Sequence, residues 1–487
     1  MNDKSISVLT RRRFIRQAAC AALGTAALTD AITNLRLINA ASAQSSISDY
    51  KALVCIFLSG GNDSNNLIIP TIQTEYDNYA SIRTNVLAIP ISGAPYVALP
   101  LSPLNSDGHN YGLHPACPEL ATLFAESKLA MLFNTGTLVY PLTRAQYQAG
   151  NPVQPPQLFS HSDQVTQWQT SLPDRPPLTG WGGRCADLLN SVQPGAPISL
   201  SVTLAGANTF EVGSIVSQYS VTTSGAINLS GVSGARLQSL SSILGLPSQN
   251  LQVQAYAGVG AHALQTGGLL NSAIAATAAA NYWTVPFPVT VTSPTGGTAF
   301  NSYLASQLRM IARLIEAGYR NAANGGFGMR RQIFFCQVGG YDLHSGQTPG
   351  PGQATIGSHA NLLAELSQGM FAFQRAMEQL GLSNSVTTFT ASDFGRTFPC
   401  NGDGTDHGWG SHHLVMGGAV NGQRTYGTFP TLAVNGPDDT NTGRWIPTTA
   451  IDQYFATLAT WFGVDNNNLA TVFPNLGRFA TPNLGFV

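Results

Sequence analysis

Charge is scarce in this chain: Asp, Glu, Lys and Arg make up 10% of its 487 residues. Past the N-terminal region no basic cluster forms an electrostatic footprint, so no nucleic-acid partner is expected. After residue 43 there are 17 Lys and Arg against 22 Asp and Glu, a net charge of −5. Long apolar runs are missing too. No later segment has 18 uncharged apolar residues in a row, so no transmembrane span is expected in the mature chain. Past residue 43 cysteine is sparse: Cys55, Cys117, Cys185, Cys336 and Cys400 are odd in number and far apart. That pattern predicts buried free thiols, or one or two disulfides, and not a cysteine metal cluster. With 43% hydrophobic residues the chain is not disordered, and its 50 glycines lack a collagen-like period. The composition is that of a loop-rich globular protein, and the length allows two or three domains.

The first residues set the expected compartment. Thr10-Arg11-Arg12-Arg13-Phe14-Ile15-Arg16 places arginines in tandem before a bulky apolar pair, and a mildly hydrophobic stretch follows from Gln17 to Gly24. Small residues from Ala40 to Ala43 complete the pattern of a twin-arginine signal peptide over 1–43. Cys20 lacks a lipoprotein context. The twin-arginine translocation machinery is thus an expected partner, and the expected location is periplasmic or extracellular.

Beyond the signal the chain reads as strands alternating with helices, which predicts a mostly parallel sheet flanked by helices. Lys51 to Phe57 is an apolar run stopped by Ser59-Gly60-Gly61-Asn62-Asp63. Residues 115–133 read as a helix and a strand, 301–318 as a helix, Gln332 to Val338 as a strand, 358–380 as a helix and Val386 to Thr390 as a strand. Thr449 with Asp452 predicts a capping box opening a last helix. The expected core is 49–200 with 301–487. Residues 201–300, rich in Ser, Thr and Gly, are expected to form a β-rich or irregular insertion packed on it.

Three of the expected strands end in loops with an acidic residue, Asp63, Asp342 and Asp393, which is where sites form in open α/β sheets. A polar cluster follows with Asp406, His407, His412 and His413, and His344 stands two residues after Asp342. Carboxylates and imidazoles together suit one or two divalent metals, Zn, Mn, Fe or Ca. Such metals neutralise charge in phosphate and sulfate ester cleavage, and Arg396 is the expected clamp for the anion. In Phe159-Ser160-His161-Ser162-Asp163, Ser160 or Ser162 is the candidate nucleophile or a helix-capping serine. Asp393-Phe394-Gly395 matches the kinase tripeptide, but no His-Arg-Asp loop precedes it.

Phe57 to Asn66, Phe159 to Thr170, Thr179 to Arg184, Gly339 to Gln347, Ser392 to Thr397, Asp406 to Val420 and Gly443 to Gly463 carry a resemblance to the DUF1501 family of exported bacterial proteins. That family is in turn similar to the alkaline phosphatase and sulfatase superfamily. The resemblance implies an alkaline-phosphatase-like α/β fold and paired metals. Asp63 would take the first-strand ligand role, Asp342 and His344 the middle role, and Asp393 the late role. The superfamily places His directly after the late Asp, where this chain has Phe394, and no Cys-x-Pro-x-Arg sulfatase signature is present. The function these readings imply is an exported metal-dependent hydrolase of phosphate, sulfate or related esters. The alternative is a non-catalytic exported accessory, binding or structural protein on an inactivated hydrolase fold, with an anionic small molecule or surface polysaccharide as partner.

Overall fold

A computed structural model describes residues 47–487, apart from 194, 228, 230, 248 and 278–282. The signal peptide read over 1–43, with Cys20, lies outside the described residues.

Ten strands form one large sheet. In chain order they are β1 (Lys51–Leu58), β2 (Leu129–Gly136), β3 (Ser201–Thr203), β4 (Tyr219–Thr222) and β5 (Gly225–Ala226). They continue as β6 (Arg331–Val338), β7 (Val386–Ser392), β8 (Ser411–Met416), β9 (Arg424–Tyr426) and β10 (Thr449–Ala450). The order across the sheet is β9-β2-β8-β7-β1-β6-β3-β4-β5, with β10 also paired to β2. β1 sits in the middle, parallel to β6 on one side and β7 on the other. Seven of its eight residues are buried, which explains its unbroken apolar run: both faces are covered. β8 is antiparallel to both β7 and β2, so the sheet is mixed but mostly parallel.

The helices used below are α1 (Gln73–Leu87), α2 (Pro118–Ala125), α3 (His161–Thr170), α4 (Trp181–Leu189), α5 (Tyr303–Tyr319), α6 (Ser358–Gln379) and α7 (Ile451–Phe462). α5 buries Leu304, Leu308, Ile311, Leu314 and Ile315 at helical spacing, and the Ser302 hydroxyl caps it by accepting from the Ala305 amide at 3.0 Å. It packs on α6, which packs on α2. Against the opposite face, Trp168 of α3, Trp181 of α4 and Phe455 of α7 meet Cys55, Phe57, Phe335 and Phe389 of the sheet. The result is a three-layer α/β molecule.

Two local expectations change. At the start of α7 the Ala450 amide donates to Gln453 Oε1 at 2.9 Å, so Gln453 does the reciprocal capping expected of Asp452. In residues 201–300, β3 and β4 extend the main sheet in parallel, and helices Ala235–Leu244 and Leu251–Ala276 follow. The Leu- and Ala-rich helical spacing there outweighs the Ser and Thr content that suggested short strands. Among the described residues Cys55, Cys117, Cys185 and Cys336 are buried free thiols, and Cys400 is free and half-buried. No described helix is long and apolar enough to cross a membrane.

Candidate metal centre

β1, β6 and β7 run parallel and end level: Leu58 stands beside Val338 and Ser392. Their loops therefore leave the sheet at one edge. Gly60 has φ +114°, and a Cβ there would lie 2.3 Å from the Asp342 amide, so only glycine lets the β1 loop touch the β6 loop. The loop after β7 folds back on itself. Gly408 N–H donates to the Gly395 carbonyl at 2.7 Å, and Arg396 and His407 pair as an antiparallel bridge. This hairpin returns His407 to the sheet edge beside Asp342. α3 supplies the third member from its first residue, His161.

His161, Asp342 and His407 each offer one ligand atom, and these atoms all lie within 4.8 Å of one another. His161 Nε2 is 3.4 Å from Asp342 Oδ2, and His407 Nε2 is 3.4 Å from Asp342 Oδ1. The other nitrogen of each ring faces an oxygen. His161 Nδ1 meets Asp393 Oδ2 at 2.7 Å, and His407 Nδ1 meets the Phe159 carbonyl at 2.7 Å. A carbonyl only accepts, so His407 Nδ1 carries a proton and its Nε2 offers a lone pair. This is how metal-binding imidazoles are oriented, through a hydrogen bond on the distal nitrogen. The residues present fit a divalent metal on that ground. Two imidazoles and a carboxylate favour Zn, Mn or Fe over Ca, which takes oxygen ligands.

Charge supports the same picture. Burial opposes ionisation of Asp342, but Arg396 and the neighbouring imidazoles hold its pKa below the ordinary carboxylate range. Burial raises the Asp393 pKa, although the Gly60 amide (3.0 Å) and His161 both favour its charged form. Burial, with Arg396 and the adjacent imidazoles, lowers the His407 pKa and keeps the ring neutral.

The other expected residues occupy different places. His344 Nε2 is 2.8 Å from His407 Nε2 and 3.2 Å from Asp342 Oδ1, and its Nδ1 is 3.1 Å from Asp406 Oδ1. Asp406 thus orients His344 and stands outside the triad. Asp393 orients His161. Asp63 is 2% exposed; one oxygen takes a hydrogen bond from Gln347 at 2.6 Å and an ion pair from Arg83 of α1. His412 and His413 lie in buried β8, where burial lowers both pKa values to about 3. His412 Nδ1 accepts from the Asn134 amide, and the His413 ring packs on Trp168. Arg396, the expected anion clamp, faces inward. Its guanidinium donates to Asp342 Oδ1 at 2.8 Å, to the Gly60 carbonyl at 3.1 Å, and to the hydroxyl and carbonyl of Thr405. Ser160 caps α3 by position, its hydroxyl donates to Asp163 at 2.6 Å, and Ser162 is exposed.

His161 is the member the sequence did not supply as a ligand. It lies within Phe159 to Asp163, a stretch whose serines carry the sequence signal. Nothing local ties it to Asp393, 232 residues away. Phe394 packs on both triad imidazoles, with ring centroids 4.8 Å from His161 and 4.6 Å from His407.

Residues 318–473, which hold Asp342 and His407, match the family model described as "Protein of unknown function (DUF1501)". That span is similar to the DUF1501 family. His161 enters the site from outside it. No curated protein matches the chain significantly in sequence. Among solved structures, the PsFucS1 sulfatase from Pseudoalteromonas sp. is similar over 89% of this chain and 72% of its own, at 9% identity and a TM-score of 0.31. A likeness that distant bears on neither substrate nor mechanism.

Proposed function

We propose that the chain is a metal-dependent hydrolase of phosphate, sulfate or related esters, exported by the twin-arginine route to the periplasm or beyond. The convergence of His161, Asp342 and His407 at the sheet edge carries this reading. These three would hold one divalent metal. When bound, such a metal supplies Lewis acidity at an ester oxygen. Asp393 and the Phe159 carbonyl keep both imidazoles turned toward Asp342. Arg396 fixes Asp342 through its guanidinium. Phe394, fully buried, forms an apolar wall behind the two rings and excludes water there. His344 Nε2 lies 2.8 Å from His407 Nε2, and a metal on that nitrogen would take its place. Ser160 stands next to His161 in sequence and is the nucleophile we would test first, ahead of Ser162.

The test is elemental analysis of the protein purified after folding in its native host, beside a His161→Ala, His407→Ala double variant. About one equivalent of Zn, Mn or Fe in the wild type, lost in the double variant, supports the reading and directs a screen of phosphate and sulfate esters. Folded wild-type protein that takes up no metal when supplied would sink it.

A further inference from the structure

Three arginines surround the loops, and two are consumed. Arg83 is spent on Asp63 and on the carbonyls of Thr397 and Phe398. Arg396 is spent on Asp342, Gly60 and Thr405. The third is Arg444. Its Nε donates to the carbonyl of His407 at 2.7 Å, and its guanidinium carbon lies 4.3 Å from the ring centroid of Phe159. Both contacts are to residues of the centre: Phe159 accepts from His407 Nδ1 and stands two positions before His161. Among the described residues Arg444 makes no ion pair, and the Nε contact is its only side-chain hydrogen bond. Both Nη groups are left unused. Arg444 is half-buried, so they remain accessible.

The surroundings hold this arrangement in advance. Asp439 is fully buried and accepts from four backbone amides, those of Asn435, Asn441, Gly443 and Arg444, at 2.7 to 3.1 Å. It ties down the turn that carries Arg444. Phe159 has φ +72°, a left-handed conformation that a bulky side chain adopts only under constraint. In that conformation its carbonyl serves His407 while its ring supports Arg444.

We propose that Arg444 is the oxyanion-recognising residue of this site, with its two unused Nη groups forming a fork for the tetrahedral anion of a phosphate or sulfate ester. A guanidinium stacked on an aromatic ring and anchored through Nε loses little freedom on binding, and its planar fork matches two oxygens of such an anion. The substrate class rests on the metal-site reading above; the anion site itself does not.

Inorganic phosphate, and separately inorganic sulfate, are titrated calorimetrically into the full chain as wild type, Arg444→Gln and Arg444→Lys. Metal content is measured first, and each titration is repeated on protein stripped with a chelator. Arg444→Gln is expected to weaken the affinity for at least one anion about tenfold or more with metal content unchanged. Arg444→Lys recovers only part of that loss, because an ammonium is not a fork. The anion bound more tightly indicates the ester. Equal affinities across the three proteins overturn the proposal, as does absence of binding of either anion to the wild type at millimolar concentration. Loss of metal in Arg444→Gln, with the stripped protein's affinity unaltered, would make Arg444 a strut for His407 and also overturn it. If Arg444→Gln does not fold, Arg444→Lys decides: unaltered affinity there rejects the fork. Wild-type protein without metal counts against the hydrolase reading alone, since the stripped protein still tests Arg444.

Discussion

Asp393 divides its two oxygens between the Gly60 amide and His161 Nδ1. Among the described residues its side chain meets the triad through that imidazole. Replacing it with Asn keeps size and one acceptor but removes the charge that orients His161. Asp393→Asn is expected to lower metal affinity about 10- to 100-fold while leaving the three ligand atoms in place. Competition with a chromogenic chelator measures this, and an affinity equal to wild type would remove Asp393 from the centre. The carboxylate was legible as a site residue from the sequence, because it ends an apolar run with a glycine nearby. Its job was not, because a carboxylate that binds metal and one that orients an imidazole look alike until the partner is known. Arg396 shows the same limit: an arginine beside an acidic loop was legible, but the inward turn that occupies its donors depends on Gly60 and Thr405.

At the scale of elements, three parallel strands and one hairpin build the centre. Each was readable from local pattern: the apolar runs of β1, β6 and β7 are bounded by glycines and polar residues, and the helical spacing of α5 and α6 is regular. The contact between the β1 and β6 loops depends on Gly60. Gly60→Ala is expected to destabilise the protein by about 1–3 kcal/mol, through the φ of +114° and the crowding at Asp342. It should also weaken metal binding by displacing Asp342. Chemical denaturation and the same chelator assay check both, and a variant as stable as wild type would show that the loops do not meet as described. Residues 201–300 were the least legible stretch. Their Ser, Thr and Gly content points to strands and turns, yet the 26-residue helix Leu251–Ala276 forms there.

In the whole molecule, several ionisable groups are buried, and they make stability depend on pH. Glu211 is fully buried, and burial raises its pKa to about 8 against the hydrogen bond from Asn208. It stays protonated in the fold but ionises in the unfolded chain above about pH 4.3. Its contribution is therefore complete below that value and is lost as pH rises toward about 8, on the order of 1 kcal/mol per pH unit. Glu211→Gln does not titrate, so its stability should gain on the wild type steadily from pH 5 to 8. Urea denaturation at both pH values tests this, and a constant difference between the two proteins would contradict it.

By itself the sequence determined the α/β class, the positions of the main strands and helices, and which loops carry acids and imidazoles. Those properties follow from apolar periodicity and turn residues within short windows, where the physics is local. Only the tertiary structure decided that His161 faces Asp342, that Asp63 closes on Arg83, and that Arg444 is left with free donors. These outcomes depend on sheet order, since strands distant in sequence set which loops meet at one edge, and a polar side chain's role follows from the partner it finds there.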